Sequence, residues 1–179
     1  MSSSPLFEEQ DLAGVEPWLR GTLGEVPSVL RGVLHALVLA EEDLGRWGAS
    51  LTDAEIHARP YGLTPYAYHV RHIGNSLDRL LTYAEGRRLD VIQQGALGVE
   101  LEPGITHAAL MGEFKAGVAE AKGRVRGLRM GELEQARFVG SKRLPTTLGG
   151  LLVHLADHTQ RHAGQAVVTA KVLVGLRKA

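Results

Sequence analysis

The chain has 179 residues, 44% of them hydrophobic, which suits one domain over residues 1–179 with a real core, residues 1–10 being expected to be flexible. Twenty lysine and arginine residues balance twenty aspartate and glutamate residues without a basic block, which argues against nucleic acid or an anionic membrane and leaves a small molecule or a protein as partner. With no cysteine, disulfides, thiolate ligands and a cysteine nucleophile are excluded, so any metal must be held by nitrogen or oxygen.

The start, Met1 to Pro5, lacks the basic-then-apolar pattern of a secretory leader, and no stretch approaches the ~18 apolar residues of a membrane span, so a soluble cytoplasmic protein is expected. Helical periodicity then dominates. A first long helix is expected from Ser28, which follows Pro27 and can cap it, to Trp47, with Gly48 as its stop. Thr52-Asp53-Ala54-Glu55 has the form of a capping box and predicts one or two helical turns before Pro60. A second long helix opens at Thr64, with Pro65 in its first turn, and closes at Glu85 before Gly86. The segment from Asp90 to Ile105 contains Gly95, Gly98, Pro103 and Gly104 and is long enough to cross a bundle, so the helix order need not be up-down-up-down. The third helix, Thr106 to Leu128, is the weakest, because Gly112, Gly117, Gly123 and Gly127 each cost up to about 1 kcal/mol relative to alanine. Ala136–Val139 is the only short strand candidate. The fourth helix starts at Thr146 or Thr147, after Pro145, and runs to about Val174 with Gly175 at its end. These elements predict an all-α bundle.

Five histidines fall inside two of these helices: His69 and His72 in the second, His154, His158 and His162 in the fourth. His158 and His162 are four residues apart, hence on one helix face and one turn apart, so they can share an ion whose third ligand comes from elsewhere in the fold. The first cluster is the obvious source. On a wheel of the fourth helix, Leu148, Leu152, Leu155, Thr159, Ala166 and Leu173 form a narrow arc. His162 lies inside its margin, His158 about 70° and His154 about 110° from its centre. In the second helix, His69 borders the stripe of Tyr66, Val70, Ile73, Leu77, Leu80 and Ala84, while His72 lies about 60° further round, beside Tyr68, Ser76 and Tyr83. Amphipathicity favours His69 and the polar strip keeps His72 open, so the wheel does not choose. His35, His57 and His107 read as structural or surface residues.

There is no His-Glu-x-x-His pair for a zinc protease and no Glu-x-x-His pair for a di-iron bundle, which leaves a mononuclear three-histidine site. Three neutral imidazoles leave an ion its full charge and an open position, the pattern of a catalytic rather than a structural centre. Such a centre lowers the pKa of water to about 7 and deprotonates a thiol outright. Metal binding is expected to weaken on acidification near the ordinary histidine pKa of roughly 6.5.

The combination His158-x-x-x-His162-x-Gly164-Gln165 and Val70-Arg71-His72-Ile73-Gly74-Asn75-Ser76 resembles the DinB/YfiT-like superfamily, over almost the whole chain and including the connector Leu51 to Pro60. The resemblance implies a four-helix bundle of unusual helix order, with a long crossover between the second and third long helices. It also implies a homodimer and one divalent transition metal per chain on three histidines, nickel or zinc before iron or manganese. In that superfamily the helix-two ligand precedes an aliphatic residue, then alanine or glycine, then often aspartate or asparagine; His72-Ile73-Gly74-Asn75 fits this and His69 does not. The implied ligands are therefore His72, His158 and His162, with Gln165 lining the pocket. His69, Asn75, Ser76 and His154 are candidates by spacing to support the imidazoles. Many members carry arginine directly after the second histidine of the pair, where this chain has Ala163, so an anion-binding role for that arginine does not carry over. Characterised relatives include transferases that use bacillithiol, mycothiol or glutathione on electrophilic small molecules, and a mycothiol-dependent isomerase. The implied function is a metal-dependent thiol S-transferase. A metal-dependent hydrolase, or a non-enzymatic stress-associated binding protein, is the alternative. No general base is assigned.

Overall fold

The apolar stripes become four long helices in a computed structural model that describes residue 12, residues 14–129 and residues 133–177. The stretch 1–10, expected to be flexible, lies outside the described residues. The long helices are α1 (Ser28–Gly48), α2 (Tyr66–Ala84), α4 (His107–Gly127) and α5 (Leu148–Leu176), and a short α3 (Val91–Gly95) sits between α2 and α4.

Their starts follow proline and threonine chemistry. Ser28 does not cap α1; Pro27 holds that position with extended backbone and no side-chain cap bond. Pro65 likewise occupies the cap position of α2, so that helix begins two residues later than Thr64, which precedes a proline and is biased away from helical backbone. The threonines before α4 and α5 do cap: Thr106 Oγ1 accepts from the Ala109 N–H at 3.2 Å and Thr147 Oγ1 from the Gly150 N–H at 3.0 Å. Thr147→Ala should cost about 1 kcal/mol, read as a lower urea midpoint; an unchanged midpoint would show that the cap is idle. The connector forms its capping box, with Glu55 Oε2 accepting from the Thr52 N–H at 2.8 Å, followed by a 3-10 turn at Glu55–His57.

Helix α4 survives its glycines because Leu110, Phe114, Val118, Ala121 and Val125 bury one continuous face. Gly117 faces Gly74 of α2 closely, a Cβ there lying 3.9 Å from the Gly74 Cα.

The helices pack in a ring in which α5 touches α1 and α2, and α4 touches α2 and α1. Directions follow from side-chain pairs. Tyr66 Oη at the head of α2 donates to the Leu44 carbonyl near the end of α1, so α1 and α2 are antiparallel. Arg124 near the end of α4 pairs with Asp78 and Glu85 at the far end of α2, so α2 and α4 are parallel. Gln160 reaches the Ala36 carbonyl and Lys171 lies over Trp47, so α1 and α5 are parallel as well. The order is thus up, down, down, up, and residues 85–106 must travel back along the bundle to start α4, which is the expected long crossover. It is tied down on the way: Asp90 and Gln93 form a capping box for α3, and the Arg71 guanidinium donates to the Val99 and Glu102 carbonyls at 2.9 Å each.

One element departs from the expectation of a single strand candidate. Ala136–Val139 (β1) pairs antiparallel with Leu144–Thr147 (β2), Phe138 facing Pro145, to form a small hairpin between α4 and α5. Pro145 conceals β2 in the sequence, yet a two-stranded ribbon has free edges where a residue without an N–H is tolerated. Among the described residues no helix is long and apolar enough to cross a membrane.

Candidate metal centre

Because α2 and α5 run antiparallel, His72 meets His158 and, one turn along, His69 meets His162. Ligand-capable atoms of His72, His158 and His162 all lie within 4.8 Å of one another. His72 Nε2 and His158 Nε2 are 3.3 Å apart, and the His162 ring centroid is 4.3 Å from that of His72 and 4.6 Å from that of His158. Two imidazole nitrogens at ~2.0–2.1 Å from one tetrahedral ion stand ~3.3 Å apart, so the observed spacing and the all-nitrogen donor set both fit a divalent transition ion.

Each ring is oriented from behind. His72 Nδ1 lies 2.6 Å from Glu100 Oε2; an ionised carboxylate only accepts, so the Nδ1–H donates to it, and Nε2 is the ring nitrogen that meets His158. Tyr68 stacks on the same ring, 5.3 Å between centroids and 15° from parallel. His162 engages Nδ1 with His69 Nδ1 at 3.1 Å, which leaves its Nε2 for a ligand. His69 is buried and stands outside the three-histidine group. Of the remaining candidates, Asn75 Nδ2 donates to Glu100 Oε1 at 3.2 Å, and Ser76 Oγ lies 3.3 Å from His72 Nε2 while accepting from Arg79 at 3.0 Å. His154 is exposed, meets His158 edge-on and has Nδ1 3.9 Å from Asp157. Gln165 lines, with His69, a cleft of about 580 Å³ beside the group.

Residues 36–166, which include all three histidines, match the model of the DinB superfamily. The chain belongs to the DinB superfamily. A solved structure described as the conserved protein of locus from Enterococcus faecalis has a similar fold, with a TM-score of 0.66 and 19% identity, over 80% of this chain and 95% of that one. No curated protein matches the chain.

Two further residues behind the histidines, Glu100 and Arg79, belong to no motif of the sequence. Glu100, only 5% exposed, arrives from the crossover, whose glycines and prolines carry no periodicity. Arg79, 8% exposed, donates to Glu100 Oε1 at 3.2 Å. It did leave a trace: it lies two helical turns from His72 on the same face, and an inward-facing arginine requires a carboxylate partner. Burial opposes ionisation of Glu100, but the hydrogen bond and charge of His72, then Asn75 and Arg79, hold its carboxyl below the usual range. In place of the arginine of many DinB members, Ala163 is buried in the core. Of the three histidines read as structural or surface residues, His35 meets Thr22 Oγ1 at 3.2 Å, His57 meets the Ile105 carbonyl at 2.9 Å, and the His107 ring lies 6.3 Å from that of Tyr66, its Nε2 buried without a hydrogen-bond partner among the described residues.

Burial, followed by the positive charge of neighbouring imidazoles, lowers His69, His158 and His162 to about 4 each. At neutral pH these rings are therefore neutral. The unfolded chain takes up their protons near pH 6.5 and the folded chain only near 4, so metal-free stability is full above about pH 6.5 and falls as the pH drops towards 4. Urea midpoints of the metal-free protein should decline across that window; a flat profile from pH 7.5 to 4.5 would contradict the assignment. Proton competition at His158 and His162 correspondingly moves below the pH of roughly 6.5 expected for ordinary imidazoles.

Proposed function

We propose that this chain holds one divalent transition ion, nickel or zinc before iron or manganese, on His72, His158 and His162 and uses it to activate a low-molecular-weight thiol against an electrophilic small molecule. The observation that carries the reading is the 3.3 Å approach of His72 Nε2 and His158 Nε2, with His162 beside both. Membership of the DinB superfamily supports it. A bound ion supplies the Lewis-acid charge that keeps a thiol as its thiolate.

The residues around the group have distinct parts. Glu100 accepts from His72 Nδ1, His69 holds His162, and Tyr68 covers one face of the His72 ring. The adjoining cleft offers Leu63 and Val168 to apolar parts of a substrate and Gln160, Arg161 and Gln165 to polar ones. A thiol is favoured over water because a thiol that coordinates a divalent ion is deprotonated outright, whereas bound water keeps a pKa of about 7. Glu100, the carboxylate that touches the group, is already engaged by His72, Arg79 and Asn75 and is not free to take a proton from bound water.

Incubating the zinc- or nickel-loaded protein with several low-molecular-weight thiols and a chromogenic electrophile should give metal-dependent conjugation. Cleavage of an ester without thiol would instead indicate a hydrolase, and neither reaction would leave a metal-binding protein without this chemistry. The ligand choice has its own test. His72→Ala should abolish stoichiometric metal uptake while His69→Ala retains most of it; the reverse result would move the third ligand to His69.

A further inference from the structure

Glu100 sits where no helix would place a carboxylate for helical reasons, on the returning crossover, and its two oxygens serve different partners. Oε2 faces His72 Nδ1 alone at 2.6 Å, while Oε1 accepts from Asn75 Nδ2 and from Arg79, each at 3.2 Å. The backbone that carries it is clamped to α2 by Arg71, which donates to the carbonyls of Val99, Glu100 and Glu102. A carboxylate this deeply buried is costly unless its oxygens are used, and here the oxygen free of other duties is aimed at Nδ1 of His72, the ring nitrogen other than the one that meets His158.

We infer that Glu100 is a positioning residue: by accepting the His72 Nδ1 proton in a hydrogen bond, it keeps His72 Nε2 deprotonated and aimed at the ion, so the crossover is a working part of the metal centre and not merely a connection. The inference rests on the metal reading above. It predicts an unusual outcome for the isosteric change Glu100→Gln. Asn75 and Arg79 both donate, so the amide must turn its oxygen to them and its NH2 to His72. That NH2 donates to Nδ1 and forces the His72 proton onto Nε2, the ligand atom.

The test is the His72 tautomer, read by 15N NMR on the metal-free protein at pH 7.5, together with the zinc dissociation constant measured by competition with a chelator. In the wild type the His72 proton should be on Nδ1; finding it on Nε2 overturns the inference without any variant, so misfolding cannot obscure the answer. In Glu100→Gln the proton should move to Nε2 and zinc should bind about 10–100-fold more weakly, the usual cost of losing an outer partner of a metal-ligating histidine. An unmoved proton, or zinc affinity within about threefold of wild type, the lower margin of that range being tenfold, would reduce Glu100 to a partner of Arg79. If the wild type takes up no zinc at all, the metal reading fails, and the tautomer measurement still decides whether Glu100 governs His72.

Discussion

Alanine at His158, or at His162, reduces bound metal from about one ion per chain to near zero after dialysis against buffer. The expected loss exceeds the roughly 10–100-fold cost of losing an outer partner, because a ligand itself is removed from a set of three. Neither change should unfold the protein. Both residues are only partly buried in the long α5, and alanine is the best helix former, so the metal-free variants should melt close to the metal-free wild type. Elemental analysis of the dialysed proteins, paired with circular dichroism, separates the two effects. Full metal retention by both variants would remove α5 from the centre.

Gly48→Ala should be among the most damaging single changes away from the centre. A Cβ at residue 48 would lie 2.2 Å from Tyr66 Oη and 2.6 Å from Tyr66 Cζ, and that ring is completely buried. The hydroxyl cannot yield freely, since it donates to the Leu44 carbonyl at 2.8 Å. Displacing the ring adds about 1–3 kcal/mol of overpacking strain and leaves a buried polar group unpaired for about 1–3 kcal/mol more, so a loss of about 2–6 kcal/mol is expected. Urea unfolding measures it; a loss under about 1 kcal/mol, below the range of either contribution alone, would mean that α1 and α2 slide apart at no cost. Tyr66 heads the helix that carries His69 and His72, so the same variant should also bind metal more weakly.

The spacing of His158 and His162, and the apolar stripes of the four long helices, were legible because helical geometry converts sequence offsets directly into faces. The choice between His69 and His72 was not, because it depends on how α2 crosses α5. In the folded chain both rings face α5, and the antiparallel register sends His72 to His158 and His69 to the back of His162. The family motif around His72 pointed to the residue that stands with His158 and His162 in the three-histidine group, where amphipathicity pointed to His69. Glu100 was hidden for a different reason: it lies in a crossover whose path is set by the parallel course of α2 and α4, a property of the whole bundle. Pro145 masked β2, Pro65 moved the start of α2 because it sits at the cap and not inside the first turn, and Pro27 took the cap position of α1 in place of Ser28. The glycines of α4 misled in the opposite direction, their summed propensity cost being outweighed by one fully buried face.

The most direct measurement is anomalous X-ray diffraction at the absorption edge of the bound metal, on crystals of the zinc- or nickel-loaded protein. One peak is predicted, within bonding distance of imidazole nitrogens of His72, His158 and His162 and out of bonding reach of His69 and Glu100. A peak held by His69, a peak on the Glu100 carboxylate, or no peak at the junction of α2 and α5 would contradict the account.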